Sequence, residues 1–209
     1  TGKYPARLHL TDFIKGNPRD IYPLRQPDWQ PYLPLEEYTL GELFRDHGYR
    51  TAMFGKWHLS AEKFGLESLP FNPNKQGFDE FFIIDKPTTD SDPEGDPSSS
   101  DSIGNTAVRF IRDNAGRPFF LFASVSAIHN PLVERQDSVA VWAAREGSEK
   151  PENNPIIGTM LSRMDRNIGN IMDVVDELKL NDRTLIIFFS DNGGLESDAD
   201  QSPLRRGKG

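Results

Sequence analysis

The sequence Leu185-Ile-Ile-Phe-Phe-Ser-Asp-Asn-Gly-Gly194 runs from five apolar residues and a serine into an acid, an amide and two glycines. A short run that is rich in branched and aromatic residues and ends in turn-forming glycines predicts a buried strand. In open α/β sheets, ligands bind beyond the carboxyl ends of the strands. Asp191 and Asn192 therefore stand where an α/β fold would hold a functional site.

Three further apolar runs and three helical patterns precede this stretch in the sequence. The additional strands are predicted at Thr51–Phe54, Phe81–Ile84 and Phe119–Val125. The helices are predicted at Leu35–His47, Ile103–Asn114 and Pro155–Leu178, the last with apolar residues at steps of three and four along one face. This alternation predicts an α/β fold with a mostly parallel central sheet flanked by helices.

The composition excludes several classes of function. Among 209 residues, 24 Lys and Arg stand against 32 Asp and Glu, a net charge of −8, and no basic groove is visible, which disfavours a nucleic-acid partner. No apolar run approaches the roughly 18 residues that span a bilayer. The chain has no cysteine, so any metal must be held by oxygen or imidazole ligands.

Asp191 and Asn192 offer hard oxygen donors, which suit Ca²⁺, or Mg²⁺, better than a soft transition metal. Ca²⁺ usually takes about six to eight ligands, so further donors would have to come from elsewhere. The alternative is an Asp-Asn-Gly turn without any ligand, since such turns are common. The stretch by itself leaves both interpretations open.

A second candidate lies in Gly48-Tyr-Arg-Thr-Ala-Met-Phe-Gly-Lys-Trp-His-Leu59, directly after a predicted strand. Lys56 and His58 are two residues apart, so their side chains point to the same side if the chain stays extended. A lysine neutralises an anionic substrate, and a histidine moves a proton near neutral pH. An exposed lysine and a hydrogen-bonded histidine without a catalytic role are the alternative.

Two further residues complete the candidate set. His129 follows the predicted strand Phe119–Val125 in the sequence His129-Asn-Pro131. Lys208 lies between glycines near the end of the chain, where the backbone approaches an anion closely. Each signal is weak alone, but several such groups beyond predicted strand ends predict one shared site.

The stretch Gly48–Leu59 closely resembles the second sequence signature of the formylglycine-dependent (type I) sulfatases, members of the alkaline-phosphatase-like superfamily. Further stretches are similar to the family and fall in its order, namely Gly77–Glu80, Pro118–Pro131, Met164–Gly169, Asp191–Gly194 and Pro203–Lys208. Thr1–Pro5 looks like the tail of the first signature, whose cysteine or serine is oxidised to formylglycine and would lie just before Thr1. The resemblance implies an alkaline-phosphatase-like fold.

Carried over residue by residue, the resemblance implies a role for every candidate. The implied roles are Ca²⁺ ligands for Asp191 and Asn192, contacts to the sulfate oxygens for Lys56 and Lys208, a partner of the hydrated formylglycine for His58, and a position facing the leaving oxygen for His129. The chain departs from the family at Ser60, where glycine is common, and at Asn130, where threonine is common. Neither departure touches the residues that carry the chemistry.

The resemblance implies a sulfuric ester hydrolase that acts on a sulfated small molecule or glycan. Residues 1–209 are expected to be part of its catalytic domain, inactive without the nucleophile segment, and the protein is expected to be exported. Residues 85–102 are predicted to form a solvated acidic loop, since proline is their only apolar residue. A phosphonate or phosphodiester hydrolase of the same superfamily and a non-catalytic homologue that binds sulfated glycans are the alternatives.

Overall fold

The computed structural model describes residues 1–14, 16, 23–24, 27–60, 69–84, 95–150, 153–198 and 200–208. The chain divides into two compact units. Unit 1 comprises residues 1–85 and 113–124, and unit 2 comprises residues 86–112 and 125–209. Residues 85–94 of the predicted acidic loop lie outside the described residues.

Unit 1 is built on a parallel sheet. Its strands among the described residues are β1 (Arg50–Gly55), β2 (Glu80–Ile83) and β3 (Phe119–Ser124), in the order β2-β1-β3. Met53 of the central strand pairs with Phe81 on one side and Phe122 on the other. β1 is buried along almost its whole length, as expected for the middle of a parallel sheet. The predicted α/β fold with a mostly parallel sheet is confirmed.

The central strand also supplies the hydrophobic core of unit 1. Met53, Trp57 and Phe78 are buried together, and Leu59, Phe81, Ile83 and Phe120 pack against them. The Trp57 indole N–H donates a hydrogen bond to the Phe71 carbonyl oxygen at 2.9 Å, so the only polar atom of this side chain is satisfied. Trp57 thereby anchors the chain between Lys56 and His58.

Helix α1 (Leu40–Asp46) begins later than the predicted start at Leu35. Thr39 and Glu42 form a capping box. The Glu42 N–H donates to the Thr39 hydroxyl at 3.1 Å, and the Thr39 N–H donates to the Glu42 carboxylate at 2.8 Å. The predicted start is wrong because this reciprocal pair, rather than the first apolar residue, determines where the helix begins.

Three helices belong mainly to unit 2. They are α2 (Ser100–Asn114, whose last two residues belong to unit 1), α3 (Gln136–Ala143) and α4 (Pro155–Glu177). Two of them match predicted helices, whereas α3 was not predicted, because it buries no residue and so leaves no apolar stripe in the sequence. None of the helices in the described ranges has the length and apolarity that a membrane crossing requires.

Helix α2 begins inside the segment that was predicted to be an acidic loop. The Asp96 carboxylate accepts hydrogen bonds from the Asp101 and Ser102 N–H groups at 3.2 and 2.7 Å. Unpaired N–H groups at a helix start favour such an acidic acceptor. The predicted loop is therefore wrong at its end, where Ser100 already belongs to the helix.

The stretch Leu185–Phe189 does not form the predicted buried strand. Leu185 and Phe189 are each 84% exposed, and no described residue pairs with this stretch in a ladder. An apolar run records a preference for burial, but a strand also needs a neighbouring backbone that receives its hydrogen bonds. The prediction is wrong because the described part of the chain supplies no such neighbour.

A buried ion pair joins α4 to the segment before α3. Arg163 donates to the Glu134 carboxylate at 2.8 Å, and their side chains are 6% and 0% exposed. Arg163 also pairs with Asp101 at 2.6 Å, and the Ser98 hydroxyl donates to Glu134 at 2.9 Å. The hydrogen bond from Arg163 holds the pKa of Asp101 well below its usual range. The arginine thus compensates a carboxylate that has no contact with water.

We expect Arg163→Met to lower the free energy of unfolding by about 3–5 kcal/mol, because it removes the counter-charge of the buried Glu134 carboxylate. Arg166→Met is the matched control, since Arg166 also pairs with Asp101, at 3.0 Å, but its side chain is 61% exposed. This control should lose at most about 1 kcal/mol. Urea unfolding at neutral pH measures both losses, and equal losses would contradict the assignment.

Candidate functional site

Lys56 and His58 follow β1 in unit 1. The Lys56 N–H donates to the Ser124 carbonyl oxygen at 2.8 Å, which continues the pairing with β3 past the end of β1. Trp57 packs into the core, so the half-buried Lys56 side chain leaves the extended chain on the other side. The extended backbone stops at His58, whose φ of 48° lies in the left-handed region. The chain is therefore extended only as far as Trp57. The condition under which Lys56 and His58 would point to the same side is not met at His58.

One nitrogen of the His58 ring faces a backbone carbonyl. Its Nε2 lies 3.3 Å from the Ile14 carbonyl oxygen. Because a carbonyl oxygen only accepts hydrogen bonds, Nε2 carries the hydrogen, and Nδ1 holds the lone pair of the neutral ring. Nδ1 is accordingly the acceptor nitrogen of the neutral His58 ring.

His129 has the opposite arrangement. It is half-buried in unit 2, and its Nδ1 lies 2.6 Å from the Asn130 carbonyl oxygen. Nδ1 therefore carries a hydrogen, and Nε2 is the nitrogen that gains or loses a proton. As an imidazolium ion, His129 donates through Nε2, and as a neutral ring it accepts there.

Asp191 and Asn192 are exposed in unit 2. The Asn192 side-chain N–H donates to the Gly193 carbonyl oxygen at 2.8 Å, so the amide oxygen is the end that suits a cation. Carboxylate and amide oxygens fit a hard ion such as Ca²⁺. Within the described ranges, however, no group of three or more His, Cys, Asp or Glu residues could hold a metal. The described chain thus supplies two donors of suitable chemistry.

Backbone pairing brings Lys208 to the loop that begins with Asp191. The Lys208 N–H donates to the Gly194 carbonyl oxygen at 2.7 Å, and Leu195 and Lys208 form an isolated parallel bridge. Gly207 lies so close to the Gly194 carbonyl that an added Cβ would clash with it. Glycine at position 207 is therefore required for this close approach.

A side-chain hydrogen bond attaches the His129 segment to the same loop. The Asn130 amide donates to Asp198 Oδ2 at 2.9 Å, and the Ser197 hydroxyl donates to Asp198 Oδ1 at 2.8 Å. Unit 2 thus connects three of the predicted segments, those of His129, Asp191 and Lys208. Asp198 was not predicted, because one aspartate among several acidic residues carries no distinguishing signal in the sequence.

A second acidic residue of this loop keeps its bonds local. The Ser202 backbone N–H and hydroxyl donate to Asp200 at 2.9 and 2.8 Å. These hydrogen bonds, the backbone one first, hold the pKa of Asp200 below its ordinary value. Asp200 therefore stays negatively charged without reaching another segment.

The fold and these contacts define a class of protein, an α/β domain in which Lys56 and His58 follow a strand of the parallel sheet in unit 1, and hydrogen bonds in unit 2 join the segments of His129, Lys208 and the hard oxygen donors. Lysines, imidazoles and donors for a cation suit a tetrahedral oxyanion, because they supply positive charge and hydrogen bonds to its oxygen atoms. The chain belongs to the Sulfatase family, whose sequence model matches residues 1–209.

Curated relatives agree with this membership, and a solved structure shares the fold. An arylsulfatase of Hemicentrotus pulcherrimus is 27% identical, with 100% of this chain and 40% of that protein aligned. An N-acetylgalactosamine-6-O-sulfatase of Bacteroides thetaiotaomicron is 25% identical, with 96% and 49% aligned. The fold matches that of Ps i-CgsB in complex with k-i-k-neocarrahexaose, with a TM-score of 0.75, 23% identity, and 100% of this chain and 50% of that one covered. The chain spans half or less of the length of these proteins.

Gly207→Ala should break the pairing of Lys208 with Gly194, because the new methyl group would meet the Gly194 carbonyl oxygen. We expect the Lys208 amide hydrogen to exchange at least about tenfold faster once its bond is lost. Gly116→Ala is the control, since nothing lies within 4 Å of a Cβ at that position. Hydrogen exchange followed by NMR measures both variants, and unchanged exchange in Gly207→Ala would rule the pairing out.

Proposed function

We propose that the complete protein containing this chain hydrolyses a sulfate monoester to an alcohol and sulfate. The observation that carries the proposal is the pairing of Lys208 with Gly194, which holds a lysine near the Asp191–Asn192 step in a chain of the Sulfatase family. Breaking a sulfate ester builds negative charge on oxygen atoms, and a lysine beside hard oxygen donors for a cation suits that charge. The named activities of the relatives support a sulfated small molecule or glycan as substrate.

The proposal gives each candidate side chain a separate task. Lys56 and Lys208 bind the non-bridging sulfate oxygens, where an ammonium group neutralises charge. His129 begins as an imidazolium ion and donates a proton from Nε2 to the departing alcohol oxygen. His58 acts as a base through Nδ1 and restores the nucleophile. The hydrogen bonds of the two rings support these tasks, because the carbonyl contact of each ring assigns a hydrogen to Nε2 in His58 and to Nδ1 in His129.

The proposal includes two groups that the family resemblance implies. A formylglycine upstream of Thr1 would supply the nucleophile, and Ca²⁺ would supply positive charge beside the sulfate. Asp191 and Asn192 would hold the ion, with further ligands from other segments. We propose that residues 1–209 are part of the catalytic domain, which agrees with their share of the relatives' length. The resemblance also leads us to propose an exported protein.

The test uses the complete open reading frame that encodes this chain, produced in a host that forms formylglycine. We expect 4-nitrophenyl sulfate to be hydrolysed with a kcat/KM at least about 100-fold above that for 4-nitrophenyl phosphate or bis(4-nitrophenyl) phosphate. Lys208→Ala should lower the sulfate value by about 100-fold. Lys150→Ala, which changes an exposed lysine outside the candidate set, should leave it unchanged.

Two results would contradict this proposal. Faster turnover of either phosphate ester would indicate a phosphoryl-transfer hydrolase. Binding of a sulfated glycan without turnover of any sulfate ester would indicate a non-catalytic homologue.

His129→Ala should slow the hydrolysis of sulfate esters with poor leaving groups most, because such alcohols depart only when they receive a proton. We expect a loss of about 100-fold or more for an alkyl or sugar sulfate and a much smaller loss for 4-nitrophenyl sulfate. His47→Ala is the control, since the His47 ring also contacts a backbone carbonyl, that of Leu43 at 2.8 Å, at the end of α1. A loss in His129→Ala that is equal for good and poor leaving groups would count against proton donation.

A further inference from the structure

The proposed site depends on the relative position of two segments in unit 2 that are far apart in sequence. One carries His129, and the other runs from Asp191 to Lys208. The hydrogen bond from the Asn130 amide to Asp198 joins them over a separation of 68 residues. Asn130 is the immediate neighbour of His129, so this bond acts next to the imidazole.

The acceptor of this bond, Asp198, is held by contacts of its own. The Ser197 hydroxyl donates to Asp198 Oδ1, and the Asp198 N–H donates to the Leu195 carbonyl oxygen at 3.1 Å. Leu195 is also the residue that bridges to Lys208. Asp198 is therefore connected by short contacts to the lysine that the proposed function assigns to sulfate.

The His129 segment is fixed at its other end by a different contact. The Glu134 side chain is fully buried against Arg163 of α4. The Ser98 hydroxyl donates a hydrogen bond to the second carboxylate oxygen of Glu134. Between this anchor and His129, the described contacts give Asn130 one side-chain bond to a distant segment, the bond to Asp198. Loss of that bond would remove the described side-chain contact between the neighbour of His129 and the Asp191–Lys208 segment, while the Glu134 contact stays in place.

We propose that Asp198 is a positioning residue, which through its hydrogen bond with Asn130 aligns His129 with Lys208 for proton donation to the leaving oxygen. This inference rests on the proposed function. Proton transfer requires donor and acceptor within about 2.6–3.2 Å, and a displacement of about 1 Å lowers a rate by about 100-fold. An exposed hydrogen bond contributes little to folding stability, so alignment and stability are separable here.

The chemistry of the bond indicates which substitution preserves it. Asparagine at position 198 keeps a carbonyl oxygen that accepts from the Asn130 amide, and its own amide group can donate to the Ser197 hydroxyl. Alanine at position 198 removes both the oxygen that accepts from Asn130 and the group that contacts Ser197. A comparison of the two variants therefore isolates the hydrogen bond from the negative charge.

The experiment measures kcat and KM of the complete protein with 4-nitrophenyl sulfate and with an alkyl sulfate. We expect Asp198→Ala to lower kcat for the alkyl sulfate by about tenfold or more and to change the 4-nitrophenyl value less than about twofold. Asp198→Asn should stay within about threefold of the wild type for both substrates. Thermal unfolding should be nearly the same in all these proteins.

Two further variants sharpen the test. Asp200→Ala is the matched control, since it removes an aspartate of the same loop whose described hydrogen bonds are to its neighbours Gln201 and Ser202. It should leave the kcat ratio of the two substrates unchanged. The double variant Asn130→Ala with Asp198→Ala should lose no more activity than either single variant, because both break the same bond.

The outcomes separate this inference from the proposed function. A wild-type protein that hydrolyses no sulfate ester overturns both. An active wild type overturns the inference alone in any of three cases: Asp198→Ala slows both substrates equally or not at all, Asp198→Asn is as slow as Asp198→Ala, or the losses of the two single variants add in the double variant.

Discussion

Parallel pairing of β1 with β3 is the constraint on which the arrangement of unit 1 depends. Parallel strands end at the same edge of a sheet, so the segments that follow them start from a common edge. The hydrogen bond from Lys56 to Ser124 carries this pairing past the last residue of β1. Burial of Trp57 then keeps the neighbouring lysine out of the core. The candidate side chain of Lys56 thus obtains its position from a rigid element rather than from a loop.

Unit 2 separates the contacts that stabilise it from those that connect its candidate functional residues. The ion pair between Arg163 and Glu134 is buried, and breaking it would leave a buried charge without its counter-charge. The bonds from Asn130 to Asp198 and from Lys208 to Gly194 lie in more exposed loops. Such bonds contribute little free energy of unfolding, yet they determine which residues become neighbours. The loops can therefore change in sequence without loss of the fold.

Electrostatics in this protein act locally. A net charge of −8 opposes an anionic substrate at long range. At physiological ionic strength, however, exposed charges farther apart than about 8 Å are largely screened. The free energy of binding a sulfate group then depends on the few charges within that distance, which is why single lysines between glycines or after a strand carry so much of the proposed chemistry.

Local patterns in the sequence determined α4 and the three strands of the sheet, because apolar periodicity directly reflects which faces are buried. They also indicated the segments of Lys56, His129, Asp191 and Lys208 as functional candidates. Only the tertiary structure decided that Leu185–Phe189 stays exposed and that Asp198 bonds to Asn130. The physical reason is that periodicity records the preference of a residue for burial, whereas a ladder or a hydrogen bond between distant loops requires a specific partner that no local pattern names.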